Sequence, residues 1–453
     1  MNRVKKWCNT PLSVLVSFFV FFSNSAFSAD KGKTIRQLNI ELQQLKLEYL
    51  NEIRFLKDRL YKIEGAGEVI EDDLEELAIE VSQKSNQKAA NSFNPSIGVI
   101  LNSRLVNHDD NSNIVLPGYF LAEDVISDKQ GFQLGESELS ISANVDDQFY
   151  ASVTIAFGDS AEVEEAYLQT LNLGNGFNIK LGRFFSGIGY LASKHMHTDD
   201  FSNRPLVYDT FLAGQFGDDG LQTTWLASTD LYWESGVELF RGDSFPAAGA
   251  GSSGMGTLTV FSHIGNDIGD SQSWRLGLSY LQADSVQLNN DAGANFYEGY
   301  FSGKTKLVIA DFIYKWAPNG NRKIQEFKLQ GEYISSTKNG SYNDSVLNDV
   351  GINYVQHGWY VESVYRISQQ WRMGLRASAL SSDKLSSIFN NSFLNAHGYS
   401  PLQYSLMFDW SHSEFSRIRF QYDQNRLSNE NKNENIWGLQ YIASFGVHGA
   451  HSF

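Results

Sequence analysis

From Phe93 to Phe453 apolar residues recur at every second position, and this period of two, sustained over most of a 453-residue chain, constrains the fold more than any other feature. The last segment shows it most fully: Trp437, Leu439, Tyr441, Ala443, Phe445 and Val447 alternate with Gly438, Gln440, Ser444, Gly446 and His448. Trp371, Met373, Leu375, Ala377 and Ala379 alternate in the same way with Arg372, Gly374, Arg376 and Ser378. Each such segment is a strand with one apolar face and one small or polar face. A soluble sandwich also contains alternating strands, so the pattern fixes an all-β class without choosing between sandwich and barrel.

Connection lengths make that choice. Strands are predicted near residues 96–107, 131–145, 148–157, 162–171, 177–186, 217–226, 231–240, 255–263, 272–282, 304–315, 322–335, 351–366, 371–380, 401–410, 415–424 and 435–453, which makes 16. Tight links at 146–147, 173–176, 227–230, 319–321 and 411–414 alternate with long ones at 187–216, 241–254, 283–303, 336–350 and 381–400. Short turns at one rim, long loops at the other and an even count predict a 16-stranded antiparallel outer-membrane β-barrel. The short link 158–161 stands where this scheme expects a long loop. Trp225, Trp233, Trp274, Trp316, Trp371 and Trp410 all fall beside short turns, as an aromatic girdle at a bilayer interface requires.

The residues before the barrel read differently. Residues 1–29 carry Arg3, Lys5 and Lys6, an apolar run from Leu12 to Phe22 and small residues around Ala26, Ser28 and Ala29, the layout of a secretory signal peptide. No later segment has ~18 consecutive apolar residues, so a helical membrane span is excluded. Residues 30–67 predict an α-helical coiled coil along Ile35, Leu38, Leu42, Leu45, Tyr49, Ile53, Leu56, Leu60 and Ile63, ended by Gly65 and Gly67. Residues 68–92 form an acidic helix and linker, and residues 93–453 the barrel. The seam leaves dimer and trimer open. The helix either joins barrels or reaches through the periplasm to the cell wall.

Composition removes several functions. The single cysteine, Cys8, lies in the leader, so disulfides, zinc–thiolate sites and cysteine nucleophiles are excluded from the rest. Subtracting Arg3, Lys5 and Lys6 from 36 basic residues leaves 33 against 52 acidic, a net charge of −19, which argues against a nucleic-acid partner. The string GDS at 242–244 resembles an esterase nucleophile block but lacks an α/β context, and GKT at 303–305 lacks the spacing of a phosphate loop. No catalytic residue is therefore assigned. An outer-membrane hydrolase using Ser244 is the least favoured reading, and a structural envelope tether, with the barrel only an anchor, is the second.

The closing aromatic, Phe453, resembles the assembly signal of Gram-negative outer-membrane barrels, which implies recognition by the barrel assembly machinery. The 16-strand pattern resembles the general and phosphate-selective porins. More closely, GFQLGESELSISANVDD, VEEAYLQTL, GRFFSGIGYLASKHMHTDDF, LFRGDSFPAAGAG and GVHGAHSF resemble a proteobacterial family described as zinc-regulated porins. The resemblance implies an outer-membrane location among lipids, a homotrimer, and passive diffusion of small hydrophilic solutes or ions, divalent metal ions included.

In the general porins the connection between the fifth and sixth strands folds inward and narrows the pore. Carried onto residues 187–216, this places His195, His197, Asp199, Asp200 and Asp209 at the constriction, with Asp218 and Asp219 beside it. With Phe453 facing lipid, alternation points Arg366, Arg372, Arg376, Arg417 and Arg419 inward, so an acidic loop faces a basic wall. His195, His197 and Asp199 are candidate ligands for a divalent ion such as Zn2+, and no other cofactor is expected. His448 and His451, three apart on a strand, face opposite sides and cannot chelate together.

Overall fold

The computed structural model describes residues 95–109, 116–122, 130–158, 160–249, 254–289, 299–427 and 433–446. The signal peptide, the coiled coil, the acidic linker, His448, His451 and Phe453 lie outside the described residues.

Seventeen strand segments form one sheet: β1 (Ser96–His108), β2 (Gly131–Leu134), β3 (Ser137–Asn144), β4 (Phe149–Phe157), β5 (Ala161–Thr170), β6 (Phe177–Phe185), β7 (Gly217–Leu226), β8 (Tyr232–Phe240), β9 (Thr257–Ile268), β10 (Gln272–Asn289), β11 (Gly299–Trp316), β12 (Glu326–Asp344), β13 (Val350–Arg366), β14 (Trp371–Ser382), β15 (Leu402–Ser413), β16 (Ser416–Arg426) and β17 (Glu434–Gly446). β1 pairs antiparallel with β17, which closes the barrel. It also pairs with both β2 and β3, which are therefore successive pieces of one stave. Seventeen segments thus make 16 staves, the expected antiparallel barrel.

Two bulges interrupt neighbouring parts of this wall. Leu134 opposes Ser103 and Glu138 opposes Ile100, so four steps on one stave match three on the other. Between β4 and β5, Thr154 opposes Glu165 while Ile155 opposes Val163, which leaves Glu164 as the extra residue. A bulge breaks strict alternation and turns an additional side chain to one face.

The register also shifts between Ser285 and Leu288 and between Trp410 and Ser413; elsewhere alternation holds, and it is inverted relative to a soluble protein. Gln222, Thr259, Gln330, Asp409 and Gln421 are buried on the inner face, while Leu276, Leu278, Val308, Leu375 and Tyr441 are exposed on the outer face. The six turn-side indoles share the outer face. Trp225 meets Trp233 at 5.6 Å between ring centroids and Trp371 meets Trp410 at 6.5 Å, while Trp274 and Trp316 occupy outward positions of β10 and β11.

The wall is uneven. β4 to β8 have 9 or 10 residues each, whereas β10 to β13 have 17 to 19. Among the described residues the expected long connections 283–303 and 336–350 are accordingly mostly strand, because the upper parts of β10 to β12 are rich in Ser, Asn and Gly and carry only scattered apolar residues, of which Leu288, Phe301 and Tyr342 are buried together with Ile352 and Tyr354 of β13. The short link after β4 is real.

The connection Ser186–Phe216, hereafter the inner loop, folds into the barrel and carries one helix, α1 (Leu206–Leu212). Its Ile188, Tyr190, Leu191, Val207, Tyr208 and Phe211 are buried with Phe261, Leu281, Leu307, Ile309, Ile334 and Tyr360 of the wall. The wall is dented to receive α1: a Cβ on Gly358 would lie 2.5 Å from Val207 Cγ2.

Candidate pore constriction

Two buried wall glutamates hold the backbone of the inner loop. Glu332 on β12 accepts the N–H groups of Tyr190 and Leu191 at 3.1 and 3.2 Å and the hydroxyls of Tyr208 and Tyr360 at 2.9 and 2.8 Å. Glu238 on β8 accepts Gly187 N–H at 2.9 Å, Gln222 Nε2 at 2.6 Å and the hydroxyls of Ser186 and Thr259. Buried carboxylates are tolerated where several donors converge on them, and both sites meet that condition.

The basic wall meets the loop as alternation predicts. Arg372 donates to Asp200 at 2.7 Å and also to Asp409 of β15, and Lys328 of β12 pairs with Asp200. Arg376 donates to the carbonyl of Asn203 at 2.7 Å and to its side chain at 2.6 Å. Arg417 donates to the carbonyl of His197 at 2.8 Å, and Arg419 to the carbonyl of Asp199 at 2.7 Å and to Asp409 at 2.9 Å. Arg376, Arg417 and Arg419 therefore grip the loop backbone, and Arg372 grips its acid Asp200. Arg366 shares their inward position but lies at the turn rim, where it donates to Gln369 O at 3.2 Å. Asp200 is buried, which raises its pKa, but Lys328 and Arg372 more than offset this and hold it below the usual carboxylate range.

On the other side the loop meets acids. His195 Nδ1 lies 3.2 Å from Glu138 Oε2 and 3.4 Å from Glu164 Oε2, and its Nε2 lies 3.1 Å from Glu165 Oε2. His197 Nδ1 is 2.6 Å from Glu138 Oε1. The two imidazoles stand 5.7 Å apart, centroid to centroid. Burial opposes a charged ring at His195, yet the carboxylates of Glu138, Glu164 and Glu165 gathered around it push its pKa up to about 12. Lys194 beside it is drawn down to about 7 by burial and by the cations Lys328 and Lys315.

The structure brings His195 and His197 together, and it separates Asp199 from them. Asp199 turns its carboxylate to Arg204 at 2.8 Å, while Arg204 also donates to the carbonyls of Leu191, at 2.7 Å, and Lys194. Asp209 sits in the first turn of α1. Asp218 and Asp219 are not at the constriction. Asp218 accepts the successive N–H groups of Gly242, Asp243 and Ser244, so the GDS backbone serves as a cradle for a wall carboxylate. Asp219 has outward parity and pairs with Arg183 at 2.7 Å on the outer face.

Sequence reasoning missed Lys328, Asp409 and Glu332, although the alternation of β12 and β15 marks all three as inward. It also missed Glu138, Glu164 and Glu165. The adjacent pair Glu164–Glu165 cannot both point inward without a bulge, which alternation does not disclose.

No family model matches the chain. An uncharacterised protein of Aquifex aeolicus (strain VF5) is 30% identical over 345 residues, 72% of this chain and 71% of that one. The outer membrane channel DcaP of Acinetobacter baumannii has a similar fold, with a TM-score of 0.50 at 15% identity over 78% of this chain and 96% of that chain. The loop L8 deletion mutant of OmpT, an outer membrane protein of Vibrio cholerae, gives 0.49 at 10% identity over 78% and 99%.

Proposed function

This chain belongs to the same family as the Aquifex aeolicus protein, and from its closed barrel we propose that it is an outer-membrane porin passing small hydrophilic solutes or ions by passive diffusion. The observation that carries the reading is an inner loop fixed by wall charges inside a barrel whose inner face is polar and whose outer face is apolar. Barrels of 16 to 18 strands are wide enough for an aqueous channel, and a loop folded against the wall narrows one without closing it. Asp199, Asp200 and Asp209 on the loop and Arg366, Arg372, Arg376, Arg417 and Arg419 on the wall are the residues to which we assign selection by charge. Divalent metal ions are among the permeants this reading includes.

The remaining parts of the reading concern residues outside the described structure. Residues 1–29 export the chain to the outer membrane of a Gram-negative cell, Phe453 addresses it to the barrel assembly machinery, and lipids cover the apolar face. The coiled coil over residues 30–67 lies in the periplasm, where it contacts the cell wall or holds a homotrimer together. The reading assigns no catalytic role to any residue.

Conductance of the purified full-length protein in a planar bilayer tests the proposal. Stable single-channel steps are expected. Silent bilayers, with protein that still shows heat-modifiable migration, favour the envelope tether instead.

A further inference from the structure

Among the described residues, two groups of side chains can share a metal ion, Glu138–His195–His197 and Glu136–Glu138–Glu164, and both include Glu138. We propose that this junction of the inner loop with β3 and β5 binds one divalent transition-metal ion through His195, His197 and Glu138, with Glu164, 3.4 Å from His195, completing the set after a side-chain shift, and that the ion fastens the loop to the low side of the wall. The site differs from the sequence expectation in exchanging Asp199, which Arg204 holds, for two wall carboxylates.

Donor geometry supports it. A tetrahedral site with bonds of about 2.0–2.1 Å has ligand-to-ligand edges of about 3.3–3.4 Å. His195 Nδ1 already stands 3.2 and 3.4 Å from Glu138 Oε2 and Glu164 Oε2. His197 Nδ1, at 2.6 Å from Glu138 Oε1, needs to withdraw by several tenths of an ångström. His195 Nδ1 and Glu164 Oε2 are buried without a hydrogen-bond partner, as is Glu136 Oε1 beside them. Buried polar atoms normally find partners, and these point at one another's neighbourhood.

The surroundings are those of a metal-binding imidazole. The Nε2 atom of His195 faces Glu165 at 3.1 Å, and Glu165 is itself oriented by the N–H of Phe185 at 3.2 Å. A carboxylate on the far nitrogen fixes the tautomer and leaves Nδ1 for the metal. Phe185 packs edge-on against the ring at 5.2 Å and limits its rotation. Two imidazoles with two carboxylates suit Zn2+, Co2+ or Ni2+ better than Mg2+ or Ca2+, which take oxygen ligands.

The test uses the full chain in detergent, stripped with chelator and then titrated with Zn2+ alone. Calorimetry and metal analysis should give one ion per chain, and X-ray absorption at the zinc edge should show imidazole coordination. His195→Ala, His197→Ala and Glu138→Gln should each weaken binding at least tenfold, with folding read from heat-modifiable migration, while His357→Ala leaves it unchanged. Glu164→Gln supplies the comparison where one of these does not fold, and the zinc-edge spectrum of the parent protein stands whatever the variants do. Failure of the parent to take up Zn2+, a spectrum without imidazole, or equal affinity in the folded variants overturns the site. The metal site is read separately from the channel: a chain that binds zinc but does not conduct refutes only the porin reading, and one that conducts without binding refutes only the metal site.

Discussion

The inner loop is held at two docks of opposite sign, and they are built differently. On the basic side, called the tall dock after Lys328 on the long β12, Lys328, Arg372, Arg376, Arg417 and Arg419 meet Asp200, Asp409 and the carbonyls of His197, Asp199 and Asn203, so cations are met by acids and by backbone oxygens. On the low side, Glu138, Glu164 and Glu165 converge on His195, and Glu138 also meets His197. The tall dock sets its cations against Asp200 and Asp409 and directs further donors at backbone carbonyls. The low dock concentrates carboxylates around one imidazole and relies on the charge that imidazole carries. A dock of cations bonded to acids and carbonyls fixes geometry, whereas one that crowds carboxylates recruits a proton or a cation, so the two ends of one loop respond to different solution conditions.

The largest expected effect comes from cutting the loop's own brace. Arg204→Ala leaves buried Asp199 unpaired and frees the carbonyls of Leu191 and Lys194. Breaking a buried pair costs about 3 kcal/mol, or ~100-fold in local opening. Trypsin cleavage after Lys194 should accelerate by about that factor, and unchanged protection would show that the docks hold the loop without Arg204. Glu165→Gln should do far less, about fivefold in the same assay, since Glu138 and Glu164 still face His195. A larger effect here than at Arg204 would show that the low dock, rather than the loop's internal brace, holds the loop.

Charge at the tall dock should be read by ion selectivity. Asp200→Asn removes the acid between Lys328 and Arg372 and should shift the reversal potential toward anions, by roughly threefold in permeability ratio, while Arg372→Gln should shift it toward cations. Shifts of the same sign would remove these side chains from the conducting path. The smallest effect belongs to Lys194. Its pKa of about 7 lies well below that of an ordinary lysine, so it is charged below pH 7 and neutral above. Raising pH from 6 to 8 should move selectivity toward cations by about twofold or less. Lys194→Met should lose that part of the pH dependence, and an identical pH profile would disprove its role.

Most of the fold was legible because period two is a strong signal wherever only one face is apolar. β7 spans Gly217–Leu226, the segment the alternation marks, and the inward placement of Arg372, Arg376, Arg417 and Arg419 follows from the same parity. Legibility failed where both faces carry the same chemistry. The upper β12, from Ser336 to Asp344, is polar on both sides except at Tyr342 and reads as a loop. Leu281, Leu307, Ile309 and Ile334 face inward although apolar, because the loop's own apolar residues pack on them. At the site, the histidine pair was visible from its spacing. Its partners were not, because two bulges select Glu138 and Glu164, and a bulge is a property of pairing between strands rather than of either sequence.

The separations spanned by the loop contacts imply an order of folding. His195 reaches Glu165 across 30 residues and His197 reaches Glu138 across 59, all of them on staves that precede the loop in the chain. Ser202 reaches Gln421 across 219 residues, and the carbonyls of His197 and Asp199 wait for Arg417 and Arg419, each 220 residues onward. Contacts that close long stretches of chain form late. The acidic dock can therefore form while the barrel is still an open sheet, and the basic dock is completed only when the penultimate stave arrives. Completion of the loop thus reports completion of the wall, and a chain truncated before β16 should keep the contacts of Lys328, Arg372 and Arg376 but leave the carbonyls of His197 and Asp199 without Arg417 and Arg419.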